Sequence, residues 1–175
     1  GQPLGQTPPG ALLLAPAEFA AAFDPVRLVA LLGHPLVRAG EGRLGWLDQV
    51  RRLDLVLRGP GLVPGWSGVT ARIAERAADP QARGHGEAKL IGAWWGEVAS
   101  GLGGARPGGA AGVPASPATL LGALQAALGW LTGEGAWTGH AGRALSELFD
   151  RWALAKGDGP ALVAPADFPA MLTDL

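Results

Sequence analysis

Apolar positions recur along the chain with a helical period rather than a strand-like one. Over 42–57, Leu44, Leu47, Val50, Leu53, Leu55 and Leu57 form a mostly apolar stripe, with Asp48, Arg51, Arg52 and Asp54 off it. Over 139–155, Leu145, Leu148, Phe149 and Trp152 fall at i, i+3, i+4 and i+7. Punctuation places the other elements. Asp24-Pro25 reads as an N-cap and a first helical residue, where proline's missing N–H costs nothing. Gly33 then closes that helix ahead of the His34-Pro35 break. Ser67 is expected to cap a helix that ends at Ala78, before Asp79-Pro80. A longer helix is expected over 87–100, Ser116-Pro117 opens one that runs to Leu131, and a short one is expected over 169–175. The prediction is an all-α fold, an orthogonal or bundle-like arrangement of about seven helices in one domain spanning 1–175. The stretch 101–114 holds six Gly and two Pro and is expected to be a flexible loop within it.

Composition sharpens this picture. The 29 Gly and 15 Pro make a quarter of the 175 residues breakers, a share at which low-complexity disorder becomes an option. Against disorder stand a 48% hydrophobic content, a 17% charged content and seven Trp, enough apolar surface to offset ordering entropy. Tyr is absent, β-branched residues are few, and no window alternates with period two. A net charge of -1 gives no overall footprint for nucleic acid, so any such contact must be local. With no Cys, the chain has no disulfide, thiolate zinc site, iron–sulfur cluster or cysteine nucleophile, which fits a cytoplasmic location. No run of about 18 apolar residues is present to span a membrane. The first ten residues do not form a signal peptide and lack an initiator Met, so the sequence reads as a piece of a longer or processed chain.

The usual carriers of chemistry are missing. Neither Lys89 nor Lys156 follows a glycine, so there is no phosphate-binding P-loop. His34, His85 and His140 have no second ligand at helical spacing, so no metal site is expected. His34 is read as a partner of helix-end carbonyls or as packing there, and His85 as a solvated loop residue. Ser67 and Ser116 are read as caps rather than nucleophiles, and no catalytic or cofactor-binding residue is assigned. What remains is tryptophan beside arginine, since Trp can stack on bases and Arg can hold phosphates. Trp94, Trp95, Trp130 and Trp152 lie on apolar stripes and are read as core, leaving Trp46, Trp66 and Trp137 as surface residues. The candidate DNA contacts are Trp46, Trp66, Arg51, Arg52 and Arg58.

Several blocks carry a family resemblance. The segment 1–14, the series Phe23-Asp24-Pro25-Val26-Arg27-Leu28-Val29-Ala30-Leu31-Leu32-Gly33-His34-Pro35-Leu36, the stretch 53–64, Trp94-Trp95-Gly96-Glu97-Val98 and Gly142-Arg143-Ala144-Leu145-Ser146-Glu147-Leu148 occur in order at compatible spacing. Together they resemble the AddB double-strand break repair proteins of alphaproteobacteria, although no single block is specific. The family often has lysine or arginine where this chain has Gly33. The resemblance implies an internal fragment of the helicase-like and nuclease subunit of an ATP-dependent enzyme that resects DNA ends for homologous recombination. The fragment would resemble the helical 2B insertion of superfamily-1 helicases, lying between a nucleotide-binding region and a Cys-bearing nuclease. It implies contact with DNA or with an AddA-type partner subunit and carries over no catalytic residue. Two alternatives stay open: a protein-interaction module without DNA contact, and a hydrolase using Ser67, His85 and a carboxylate.

Overall fold

The computed structural model describes residues 24–63, 65–103 and 116–133, together with isolated positions between 137 and 170. Among the described residues the protein is all α, with five helices and no strand: α1 Pro25–Leu32, α2 Arg43–Leu57, α3 Trp66–Ala78, α4 His85–Gly103 and α5 Pro117–Thr132. About seven helices are expected from the sequence. The two others, over 139–155 and 169–175, fall mostly outside the described residues, as does 104–114 of the expected loop. In the former, Ser146 Oγ donates to Gly142 O at 3.1 Å, a bond of helical spacing. Among the described residues, no helix is long and apolar enough to cross a membrane.

The punctuation read from the sequence governs two helix starts. Asp24 accepts a 2.8 Å bond from Val26 N with Pro25 in the first turn, and Ser116 accepts from Thr119 N at 3.1 Å with Pro117 following. The stops at Gly33 and after Ala78 also stand as read, while the start of α3 and the end of α4 depart from the reading. The N-cap of α3 is Gly65, not Ser67, and Ser67 is exposed in the first turn with no capping bond. Gly65 takes φ 93°, a left-handed value that a serine would resist. One turn later, a methyl group on Gly68 would overlap the carbonyl of Val63, so the chain entering α3 can lie against that helix only because Gly68 has no side chain. At its far end α4 runs past Ser100 to Gly103, so the expected loop at 101 begins later.

One apolar cluster gathers buried residues from all five helices, and α4 packs against α2, α3 and α5. The buried face of α2 is Val50, Leu53, Val56 and Leu57, whereas Leu44 is 85% exposed. The apolar stripe read from the sequence therefore starts too early. The first turn of α2 points its core-directed positions, Arg43 and Trp46, at the end of α1 instead. Each fully buried leucine, such as Leu28, Leu53 or Leu128, contributes roughly 1.5–3 kcal/mol.

Candidate functional site

The segment 33–42 between α1 and α2 is held from three sides. An α-helix leaves its last four carbonyls without intrahelical partners. Here the N–H groups of Gly33 and His34 take Val29 O and Leu31 O, and α2 supplies donors to Leu32 O and to carbonyls just past the helix end. Trp46 Nε1 donates to Leu32 O at 2.8 Å. The Arg43 guanidinium donates to Val37 O at 2.6 Å, His34 O at 3.3 Å and Gly33 O at 3.4 Å. Arg38 N donates to Leu131 O at 2.8 Å, tying the segment to the end of α5. Arg38 has φ 48°, the one positive value outside glycine among the described residues. Such a conformation costs an L-residue roughly 1–2 kcal/mol. His34 is half-buried and its Nδ1 accepts from Leu36 N at 3.3 Å. Burial, and second the nearby Arg43 charge, lower its pKa from the ordinary value of 6.5.

Three tryptophans converge beside this segment. The rings of Trp46 and Trp130 stand 6.0 Å apart at 64°, and Trp94 lies edge-on to Trp46 at 5.2 Å. The Trp94 Nε1 is buried with no hydrogen-bond partner. The Arg38 guanidinium fills the angle between two of the rings, with its Cζ 4.6 Å from the centre of Trp130 and 5.4 Å from that of Trp46. These distances are within cation–π range. Next to it opens a cleft of about 620 Å³, lined by Arg38, Trp130 and, on α4, Ala93, Gly96, Glu97 and Ser100. Those α4 positions recur at i, i+3, i+4 and i+7, so one helical face lines the cleft, and its residues are exposed.

A second cluster joins α3 to the turns around it. Arg72 and Arg76 are 9% and 8% exposed. Arg72 Nη2 donates to Pro60 O at 2.7 Å, while Arg76 donates to Arg58 O and to Arg83 O, both at 2.6 Å. Among the described residues neither pairs with a carboxylate. Burial, then the neighbouring Arg72, lowers the pKa of Arg76 from its ordinary value. His85 is the first residue of α4, half-buried, with its Nδ1 3.0 Å from Arg76 O. It is thus not the solvated loop residue expected from its flanking glycines. No hydrogen bond joins it to Ser67 among the described residues.

The structure scatters the five residues expected to contact DNA. Trp46 is half-buried in the aromatic group just described, and Trp66 stacks on Trp95 at 5.5 Å and 26°. Trp95 Nε1 in turn donates to Thr70 Oγ1 at 2.9 Å. Trp137 packs edge-on to Phe149 at 5.5 Å. All three tryptophans assigned to the surface therefore pack against the core. Gaps between helices rich in small residues take rings even from polar stretches. Arg52 pairs with Asp48 at 2.8 Å and Arg58 with Asp54 at 2.5 Å, each one turn away on or beside α2. Arg51 is exposed without a carboxylate partner among the described residues. Sequence reasoning missed Arg38, Gly96 and Glu97. Arg38 carried no signal because its contact with Trp46, eight residues on, depends on the turn between α1 and α2, and Trp130 is far away in the chain. Gly96 and Glu97 stood inside one of the resemblance blocks without a role.

Among the described residues no group of three or more His, Asp or Glu side chains gathers as a metal site. Compared with known proteins, the sequence matches no family model, no curated protein and no solved structure.

Proposed function

We propose that the chain is a helical accessory domain that works by contacting another protein, within an AddB-type assembly for double-strand break repair by homologous recombination. In this reading it is a 2B-like orthogonal bundle and has no chemistry of its own. Its partner is the AddA-type helicase subunit or the remainder of a parent chain, in the cytoplasm. The observation that carries the choice of protein over DNA is the state of the five expected DNA contacts. Both tryptophans are packed, and Arg52 and Arg58 are each engaged by an aspartate. The cleft at Arg38 and Trp130, by contrast, is open.

DNA contact is retained as a second reading on one observation, the exposed and carboxylate-free Arg51. Titrating fluorescent single-stranded DNA at rising salt separates the two. The protein-contact reading expects no saturable binding at physiological salt. Saturable binding that weakens steeply with salt and is lost in Arg51→Ala would favour DNA.

A further inference from the structure

We propose that the cleft between α4 and the Arg38–Trp130 wall receives an arginine side chain from the partner protein, and that Arg38 occupies its place in the unbound chain. The inference rests on the protein-contact reading above and names the chemistry of that contact.

Four observations carry it. The inclined rings of Trp46 and Trp130 form a corner whose faces attract cations, and a guanidinium already sits there. That guanidinium is held, among the described residues, by the rings alone. Among the described residues Arg38 has no carboxylate partner and no side-chain hydrogen bond, and it is exposed. An exposed cation–π contact is worth roughly 0.5–1 kcal/mol, so another cation can displace it. The lining of the cleft on α4 includes Glu97, a carboxylate that is exposed and without an ion-pair partner among the described residues, so with Arg38 displaced the cleft complements an incoming positive charge. Finally, the wall between them is kept low. A side chain on Gly96 would meet no atom within 4 Å, so the space beside the corner is open to a ligand rather than filled by the fold.

Arg38 then acts as a tethered competitor. Its backbone is fixed by the bond to Leu131 O, while its side chain swings out when a second guanidinium enters. Glycine suits the left-handed backbone at position 38, so Arg38→Gly removes the competitor without straining the chain.

The test uses the full chain and the blocked peptide acetyl-Gly-Arg-Gly-amide, with its citrulline counterpart as the uncharged control. The readout is the NMR shift of the Trp46 and Trp130 indole N–H signals. The expected result is a saturable shift with the arginine peptide, roughly two- to fivefold tighter in Arg38→Gly than in the unaltered chain. The citrulline peptide should give no saturable shift. Glu97→Gln alters an exposed position outside the core and should weaken binding in an otherwise unaltered chain. Absence of a saturable shift in both the unaltered chain and folded Arg38→Gly would overturn the proposal. So would equal binding of the citrulline peptide, or an affinity indifferent to Glu97→Gln. Capture of the AddA-type subunit by the same protein is scored separately. If capture persists while the arginine peptide fails, the cation-binding inference falls and the protein-contact reading stands.

Discussion

Trp130 packs directly against the backbone of Gly101, so closely that a methyl group on that glycine would overlap the indole ring. This contact joins α4 to α5 and positions one wall of the cleft. It also fixes the direction of Trp130, whose ring Arg38 covers at 4.6 Å. Gly101→Ala should therefore cost about 1–3 kcal/mol, the usual range for overpacking a filled site. Gly96→Ala, five residues earlier on the same helix, should be neutral or stabilise by about 0.5–1 kcal/mol, because it meets no atom and loses glycine's entropy cost. Urea denaturation of the two variants measures the contrast.

Arg76 bridges two turns through Arg58 O and Arg83 O, and among the described residues no other side chain joins them in the same way. Arg76→Ala should destabilise by about 2–4 kcal/mol, since it leaves two carbonyls without a charged donor and removes a buried stem. Arg76→Lys should recover little of this, because one ammonium lacks the planar fork that reaches both oxygens. The check is the denaturation midpoint of both variants, with Arg52→Ala as a reference. Arg52 lies on the surface of α2, and its pair with Asp48 should be worth at most about 1 kcal/mol.

Protonation of His34 is disfavoured in the folded chain. Its folded pKa lies below 6.5, chiefly through burial and secondly through Arg43. The unfolded state therefore binds more protons between the two values, so stability rises with pH there. The contribution is complete above the unfolded value of 6.5 and is lost as pH falls through the lower folded value. Protonation also removes the acceptor that Nδ1 offers to Leu36 N. The melting temperature should drop between pH 7 and pH 5 in the unaltered chain, with a shallower drop in His34→Gln. Parallel curves for the two would exclude His34 as the cause.

Trp46 should matter through its N–H as well as its ring. Trp46→Phe keeps much of the packing but leaves Leu32 O without its 2.8 Å donor, a loss of about 1–2 kcal/mol. It also replaces one wall of the corner that holds Arg38 with a smaller ring that attracts cations less strongly, so arginine-peptide binding should weaken. A thermal melt measures the first effect and arginine-peptide binding the second.

The helical character of this chain is legible in its sequence because the cues are local. Asp24-Pro25 and Ser116-Pro117 set helix starts through bonds two and three residues long, and the structure has both. Cues that depend on distant partners are not legible. Leu44 fits the apolar period of α2, yet α1 ends alongside that first turn and takes Arg43 and Trp46 there instead. Ser67 has the chemistry of a cap, but the close approach of Val63 to Gly68 and the left-handed turn at Gly65 start the helix earlier. Trp46 and Trp66 read as surface residues because they do not fall on an apolar helix stripe. Only the packed helices reveal that their faces are covered, by Trp94, Trp130 and Trp95. The cleft was invisible for the same reason. Arg38, Gly96 and Trp130 come from three separate parts of the chain.

The central claim is that this chain acts through the cleft face and not through the arginines of α2. The most direct measurement is the affinity of the full chain for the AddA-type subunit, by isothermal calorimetry, in three forms. Gly96→Leu projects a side chain into the cleft from an exposed position whose Cβ meets no atom within 4 Å, and the triple variant Arg51→Ala, Arg52→Ala, Arg58→Ala removes the basic positions. The account predicts that Gly96→Leu weakens binding at least tenfold, about 1.4 kcal/mol, while the triple variant binds like the unaltered chain. Unchanged binding by Gly96→Leu together with loss in the triple variant would contradict it.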